Sequence, residues 1–276
     1  MTNPNQQLDR EGLLALAKRE GEAYQHSAPF PHAMFDGLWS DDLLDAVAAE
    51  FPTREQVEWT TYDNANELKY VCSDPEQFGP ATWQLASMLN SAVFLRFLEA
   101  LTGIDHLVPD PYFHAAGLFD VPEGGFLDLH ADWSGNPNLL LDRRINVLVY
   151  LNRDWTEANG GALELWRREP KECVESILPL FNRTVVFNTT GGALHGHPVP
   201  VQGVGKARRV FSAYYFTNGR IPLGEQWGTH GVLFNDEKAG LKVRARHLAH
   251  GLTPPAVYDV LRATKDRRSR GGDPTS

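Results

Sequence analysis

The pattern of apolar and polar residues along this chain changes character near residue 105, and each half predicts a different kind of element. Before that point the spacing is helical. Leu13, Leu14, Leu16 and Ala17 form one stripe, predicting a helix over about 9–24. Leu43, Leu44, Val47, Ala48 and Phe51 form a second stripe, behind Ser40 as a candidate N-cap with Asp41 and Asp42 in a first turn that suits the helix dipole. Leu85, Met88, Leu89, Phe94, Phe97 and Leu101 predict a longer helix over roughly 79–102 with Gly103 as its stop. Such a stripe packs a core, and it is expected to support the outer face of a sheet.

Beyond residue 105 the signals are those of short strands. Ile145 to Leu151, inside RRINVLVYLNRDW at 143–155, is a nearly unbroken β-branched run, the pattern of a strand buried on both faces. Asn159-Gly160-Gly161 is a turn, after which Ala162 to Trp166 alternates with period two. Arg183–Asn188 and Arg209–Thr217 are two further β-rich segments, separated by Gly191-Gly192 and by the Pro/Gly-rich stretch 198–205. Strands spaced by turns, with no helix between them, predict an antiparallel sandwich or barrel. After Thr217 the period is lost until Thr253-Pro254, which predicts a helix to about Lys265 through Val257, Val260 and Leu261.

Length and the absence of repeats fit one domain over 1–276, with a helical lead-in at 1–104, a β core at 105–220 and an extension at 221–276. The formal charge of −9 disfavours a general nucleic-acid surface, and the short basic cluster at 264–270 reads as a solvated tail. Cys72 and Cys173 supply no disulfide framework and are expected to be unpaired thiols. No apolar run has the length of a membrane span, and MTNPNQQLDREG lacks the basic and apolar regions of a signal peptide, so a cytoplasmic protein without a membrane partner is expected.

The chemistry-bearing pattern is His130-x-Asp132, followed by His195 and then Arg208. Residues i and i+2 share one face of a strand. An imidazole and a carboxylate placed in this way can grip a metal ion, and a second imidazole completes a two-His-one-carboxylate set that leaves three coordination positions open, as in non-haem Fe(II) oxygenases. Arg208 is the fixed positive charge that an acidic co-substrate needs.

The ordered segments HADW, RRINVLVYLNRDW, GGALELW, VVFNTT, HGHPVPV and RRVFSAYYFTNGR together resemble the 2-oxoglutarate and Fe(II)-dependent oxygenases of the prolyl 4-hydroxylase-like group. The resemblance covers about residues 110–220, plus PFPHAMFDGLWSDDLLDAVAAEFP at 29–52, which is similar to that group's lead-in strand and helix. It implies a mainly β protein with flanking helices around a double-stranded β-helix, a jelly-roll or cupin-like core. It also implies Fe(II), 2-oxoglutarate and O2 as cofactor and co-substrates, with His130, Asp132 and His195 as metal ligands.

Carried over residue by residue, the resemblance assigns the distal histidine to His195, and His197, restricted by Pro198, is left beside the site or at the surface. Arg208 takes the co-substrate position, and Arg209 falls on the opposite face of the strand. Asn146 stands where the group has a polar residue reaching the co-substrate, although a structural bond to a neighbouring strand explains an Asn in an apolar run equally well. Leu163 is expected in the same pocket. Phe119 and Asp120 depart from the group's pattern near the substrate mouth. Asp128, on the face of His130 by alternation, is either an orienting acid or an exposed charge, and His106 and His114 have no partner at ligand spacing. Trp133, Trp155 and Trp166 are candidates for enclosing a substrate ring or for core packing.

The reaction implied is oxidative decarboxylation of 2-oxoglutarate to succinate and CO2, coupled to hydroxylation of an aliphatic C–H in an amino acid, peptidyl residue or small metabolite. The presence of Asp132 separates the chain from related halogenases, which lack that carboxylate. Two other readings use the same residues: a catalytically silent β-helix that binds a small acidic ligand or a protein partner, and a cupin-like or zinc hydrolytic site, which makes less use of Arg208.

Overall fold

The computed structural model describes residues 8–133, 135–136, 140–189 and 192–218. The helix expected after Thr253, the basic cluster at 264–270, and Trp227, His230, His247 and His250 lie outside the described residues. Four α-helices are present among them: α1 (Arg10–His26), α2 (Asp41–Ala49), α3 (Pro80–Leu89) and α4 (Ala92–Thr102). The strands are β1 (His32–Asp36), β2 (Thr60–Asn64), β3 (Glu67–Cys72), β4 (Val108–Pro109), β5 (Gly117–Pro122), β6 (Leu127–His130), β7 (Gly135–Asn136), β8 (Leu141–Tyr150), β9 (Leu163–Arg167), β10 (Glu172–Ile177), β11 (Arg183–Asn188), β12 (Leu194–His197) and β13 (Ala207–Thr217).

These strands pair antiparallel in the order β1-β11-β8-β13-β5-β3-β6-β12-β9-β10, with β2 on β3, β4 on β13 and β7 on β8. The sheet curls at the β3–β6 junction, where Glu67 pairs with Leu127. Its two wings then face each other as a double-stranded β-helix, and residues of β8, β11 and β13 line one cavity together with residues of β6, β9 and β12.

Alternation decides which side chains enter that cavity. On β8, Ile145, Val147 and Val149 pack outward into the core shared with the helices, while Asn146 and Leu148 point inward. On β13, Phe211, Ala213 and Tyr215 face the helices, and Arg208, Val210, Ser212 and Tyr214 face the cavity. The run 145–151 is therefore buried on both faces apart from a half-buried Leu148, as its sequence predicts.

The helices hold the outer face. Leu85 and Leu89 of α3, and Phe94, Phe97, Leu98 and Leu101 of α4, are fully buried there, and the Tyr215 hydroxyl donates to the Leu89 carbonyl at 2.9 Å. The single helix expected over 79–102 is two helices. The chain breaks at Asn90, and Ser91 starts α4 by accepting from the Phe94 N–H. The apolar stripe runs on across the break, so periodicity alone does not reveal it. No single helix among the described residues is long and apolar enough to cross a membrane. The bent pair α3–α4 passes that test by length and composition only, and most of its apolar side chains, though not the exposed Trp83, belong to the core.

Candidate metal centre

His130 ends β6, His195 lies on β12, and the two are paired across the strands. Gly196 makes this approach close. A Cβ at that position would stand 2.8 Å from the carbonyl oxygens of Leu127 and Asp128, so only glycine lets β12 lie this near β6. The imidazole centroids are 4.5 Å apart. Asp132, two residues beyond His130, turns back over them: its Oδ1 is 3.5 Å from His130 Nε2, and its Oδ2 is 3.6 Å from His195 Nε2. Ligand atoms from all three residues fall within 4.8 Å of one another. His197 is not in this group.

The surroundings set the ligands' protonation. Nδ1 of His130 faces the Asp128 carbonyl at 2.9 Å, and Nδ1 of His195 faces the Ala193 carbonyl at 3.0 Å. A carbonyl can only accept, so Nδ1 is the donor in each contact and Nε2 is the ring nitrogen on the side of Asp132. Burial, only partly offset by the Asp132 carboxylate, pushes the His195 pKa down to about 4, so this imidazole is neutral at pH 7, the form that can bind a metal. Burial also opposes charge on Asp132, but the Arg143 guanidinium, with smaller contributions from His195 and His130, outweighs it and holds the carboxyl well below its usual range. Asp128 thus meets His130 through its backbone carbonyl, which takes the orienting role considered for its carboxylate.

Arg143 is the residue that the sequence reading missed. It is 2% exposed, with its guanidinium 3.5 Å from the centroid of Tyr214 and 4.6 Å from that of Trp133. Nη2 lies 3.1 Å from Asp132 Oδ2, while Nε and Nη2 donate to Asn146 Oδ1 at 3.0 and 2.7 Å. Asn146 closes the triangle by donating Nδ2 to Asp132 Oδ2 at 2.7 Å. The amide expected to reach the co-substrate, or to bond to a neighbouring strand, is instead engaged by Arg143 of its own strand and by Asp132 beyond β6. Oδ2 is occupied by two donors, and Oδ1 is left for a metal.

Arg208 lies in the inner cavity at 4% exposure. Nε donates to the Gly161 carbonyl at 2.8 Å and Nη2 to the Tyr150 hydroxyl at 3.0 Å, and no carboxylate among the described residues pairs with it. A buried guanidinium without a counter-ion is costly and suits an incoming anion. Gly161 has φ +65°, and a Cβ there would stand 3.2 Å from Arg208 Cδ. Leu163 is 2% exposed and lines the same cavity, as expected. Arg209 faces the other way, over the Phe51 ring and 3.5 Å from Asp120, which also pairs with Arg54.

The inner cavity has a volume of about 90 Å³ and shares Lys69, Phe119, Arg143 and Tyr214 as wall with an outer one of about 650 Å³. The outer wall includes Tyr62, Asn64, Asn66 and Trp133, so the β2–β3 hairpin and Trp133 frame the mouth. Trp155 and Trp166 do not line it. Trp155 packs on Val121 and Val201 and donates to the Gly160 carbonyl, whereas Trp166 donates to Glu164. His106 and His114 are exposed.

The donor set fits Fe(II): two imidazole nitrogens and one carboxylate oxygen converge in one place. Residues 116–217 match the model of the 2OG-Fe(II) oxygenase superfamily. No curated protein matches the chain in sequence. Among solved structures, a Pseudomonas putida prolyl-4-hydroxylase is similar at 20% identity and TM-score 0.50, over 75% of this chain and 100% of that one. A Trichoplax adhaerens prolyl hydroxylase, in complex with a hypoxia inducible factor oxygen degradation domain peptide fragment, is similar at 18% and 0.54, over 75% and 91%. HygX from Streptomyces hygroscopicus, with nickel and 2-oxoglutarate bound, is similar at 12% and 0.51, over 80% and 97%. The fold is that of the 2-oxoglutarate/Fe(II) oxygenases, and the motifs' resemblance to their prolyl hydroxylase-like group holds.

Proposed function

We propose that the protein is an Fe(II)- and 2-oxoglutarate-dependent dioxygenase that hydroxylates an aliphatic C–H of an amino acid, peptidyl residue or small metabolite. The observation that carries this reading is the pairing of two features in one cavity: a three-residue ligand set, and a buried arginine that no carboxylate among the described residues neutralises. A silent binding module needs no convergent ligand set, and a hydrolytic zinc site needs no Arg208.

His130, Asp132 and His195 would hold Fe(II), and Arg208 with the Tyr150 hydroxyl would receive the distal carboxylate of 2-oxoglutarate. When bound, the iron would let O2 act as the oxidant, taking two electrons from the α-keto acid, which leaves as succinate and CO2 with one oxygen atom, and two from the substrate C–H, which keeps the other as a hydroxyl. The chain's own work is positional. Arg143 and Asn146 fix the Asp132 carboxylate, Leu148, Leu163 and Phe187 supply apolar wall to the inner cavity, and Trp133, Tyr214 and the β2–β3 hairpin frame the substrate's approach. The free Cys72 and Cys173 accord with action in a reducing cytoplasm.

The test is oxygen-dependent conversion of 2-oxoglutarate to succinate by the Fe(II)-loaded protein, with and without a panel of amino-acid, peptide and metabolite substrates. Succinate formation that is lost in His195→Ala supports the proposal. Its absence from the wild type under every condition removes it.

A further inference from the structure

His197 is a buried polar residue that the proposed reaction leaves unexplained. It lies two residues beyond His195 on β12, so its imidazole enters the cavity on the same face, about 6–7 Å further along the strand. Its exposure is 3%, and Nδ1 is enclosed without a hydrogen-bond partner among the described residues. A ring nitrogen in that state costs stability unless something else completes it. The neighbouring side chains do not. Lys69, also in the wall, is held by Glu67 at 2.8 Å, and Leu163 has nothing to offer a hydrogen bond. Arg208 is itself a donor and uses Nε and Nη2 on Gly161 and Tyr150. Two donor groups thus line one small cavity with no acceptor assigned between them.

We infer that His197 is a positioning residue for the co-substrate, donating a ring N–H to the distal carboxylate of the dicarboxylate alongside Arg208. Proline at 198 fits this role, because it restricts the backbone that carries the imidazole. The inference rests on the 2-oxoglutarate reading above and adds a second recognition group, one that selects for the far carboxylate rather than for the keto-acid end. Tyr150 reaches the same carboxylate only in company with Arg208, to which its hydroxyl is bonded.

Titration calorimetry of the full chain loaded anaerobically with Mn(II) separates the possibilities, using 2-oxoglutarate and 2-oxobutyrate, a keto acid without the distal carboxylate. His197→Leu should weaken 2-oxoglutarate about tenfold or more, the worth of one hydrogen bond to a charged group, and leave 2-oxobutyrate and Mn(II) affinities unchanged. His197→Gln, which restores a donor, should recover most of the loss. Equal weakening of both keto acids would mean that His197 only shapes the wall, and no weakening would mean that it faces nothing. Either result overturns the inference while leaving the dioxygenase reading intact. Failure of the wild type to bind 2-oxoglutarate at all would instead refute both. If His197→Leu does not fold, the ring 15N resonances of His197 in the Zn(II)-loaded wild type should move on adding 2-oxoglutarate and stay in place with 2-oxobutyrate; a shift with neither, or the same shift with both, refutes the role.

Discussion

Replacing Arg143 by Met removes the guanidinium that compensates Asp132 while keeping much of the volume between Trp133 and Tyr214. The Asp132 side chain is only 11% exposed, and that of Arg143 is 1% exposed. Breaking such a pair from one side leaves a buried charge and costs about 3–5 kcal/mol. Because Asn146 still donates to Oδ2, the lower end applies, about 3 kcal/mol at pH 7 in the metal-free protein. The pH dependence distinguishes this from lost packing. In the wild type the folded pKa of Asp132 is depressed, so its stabilisation is present above the unfolded value of about 3.9 and is lost as pH falls through the folded one. In Arg143→Met burial is no longer opposed by the guanidinium and the folded pKa rises. The penalty is then complete above that raised value and fades below it, by up to about 1.4 kcal/mol per pH unit as a proton is taken up. Uptake by His195 in place of Asp132 acts in the same direction. Urea unfolding of metal-free wild type and variant at pH 7 and pH 5 measures this. The deficit should be about 3 kcal/mol at pH 7 and smaller at pH 5. A deficit under about 1 kcal/mol, or one equal at both pH values, refutes the reasoning.

Three further outcomes follow from the geometry. Arg208→Ala should raise the 2-oxoglutarate concentration needed for half-maximal succinate formation at least tenfold while Fe(II) affinity is kept; an unchanged requirement would move the anchor elsewhere. Gly161→Ala should produce a milder form of the same defect, because its Cβ presses on Arg208 Cδ from a backbone with positive φ, together with a stability loss of about 1 kcal/mol in thermal unfolding. Gly196→Ala should act on the metal instead. Its Cβ meets the Leu127 and Asp128 carbonyls, forces β12 from β6 and separates the histidines, so equilibrium dialysis should show weaker metal binding. Wild-type metal affinity in that variant would show that the strands' close approach is dispensable.

Much of the β core could be read from the sequence because its strands are buried, and burial writes itself as pattern. Arg183–Asn188 is a strand over the residues expected, and Ile145–Leu151 carries the central strand as far as Tyr150. The β2–β3 hairpin and β10 went unread, since TTYDN and ECVESI are mostly exposed and show no apolar alternation. His130-x-Asp132 drew attention through its spacing of two, although β6 ends at His130 and Asp132 lies beyond the strand, whereas His195 and Arg208 were placed through the resemblance. Tyr150 shares the parity of Asn146 and Leu148, a signal that pointed inward and was not used. Arg143 offered no such signal. Strict alternation puts positions 143 and 146 on opposite faces, but β8 carries an extra residue at Arg144, where Phe216 pairs with Arg143 and Tyr215 with Ile145. That bulge reverses the parity and brings Arg143 onto Asn146 and Asp132. A similar irregularity lies between the pairs His195–His130 and His197–Leu127, so counting in twos back from His130 misjudges Asp128.

The central claim is that His130, Asp132 and His195 bind one iron whose open side accepts a keto acid. Anaerobic absorption spectra of the protein with one equivalent of Fe(II) and excess 2-oxoglutarate test it most directly. The account predicts a weak visible charge-transfer band that saturates at one iron per chain and disappears in His130→Ala and Asp132→Ala. No band in the wild type, or the same band in both variants, would contradict it.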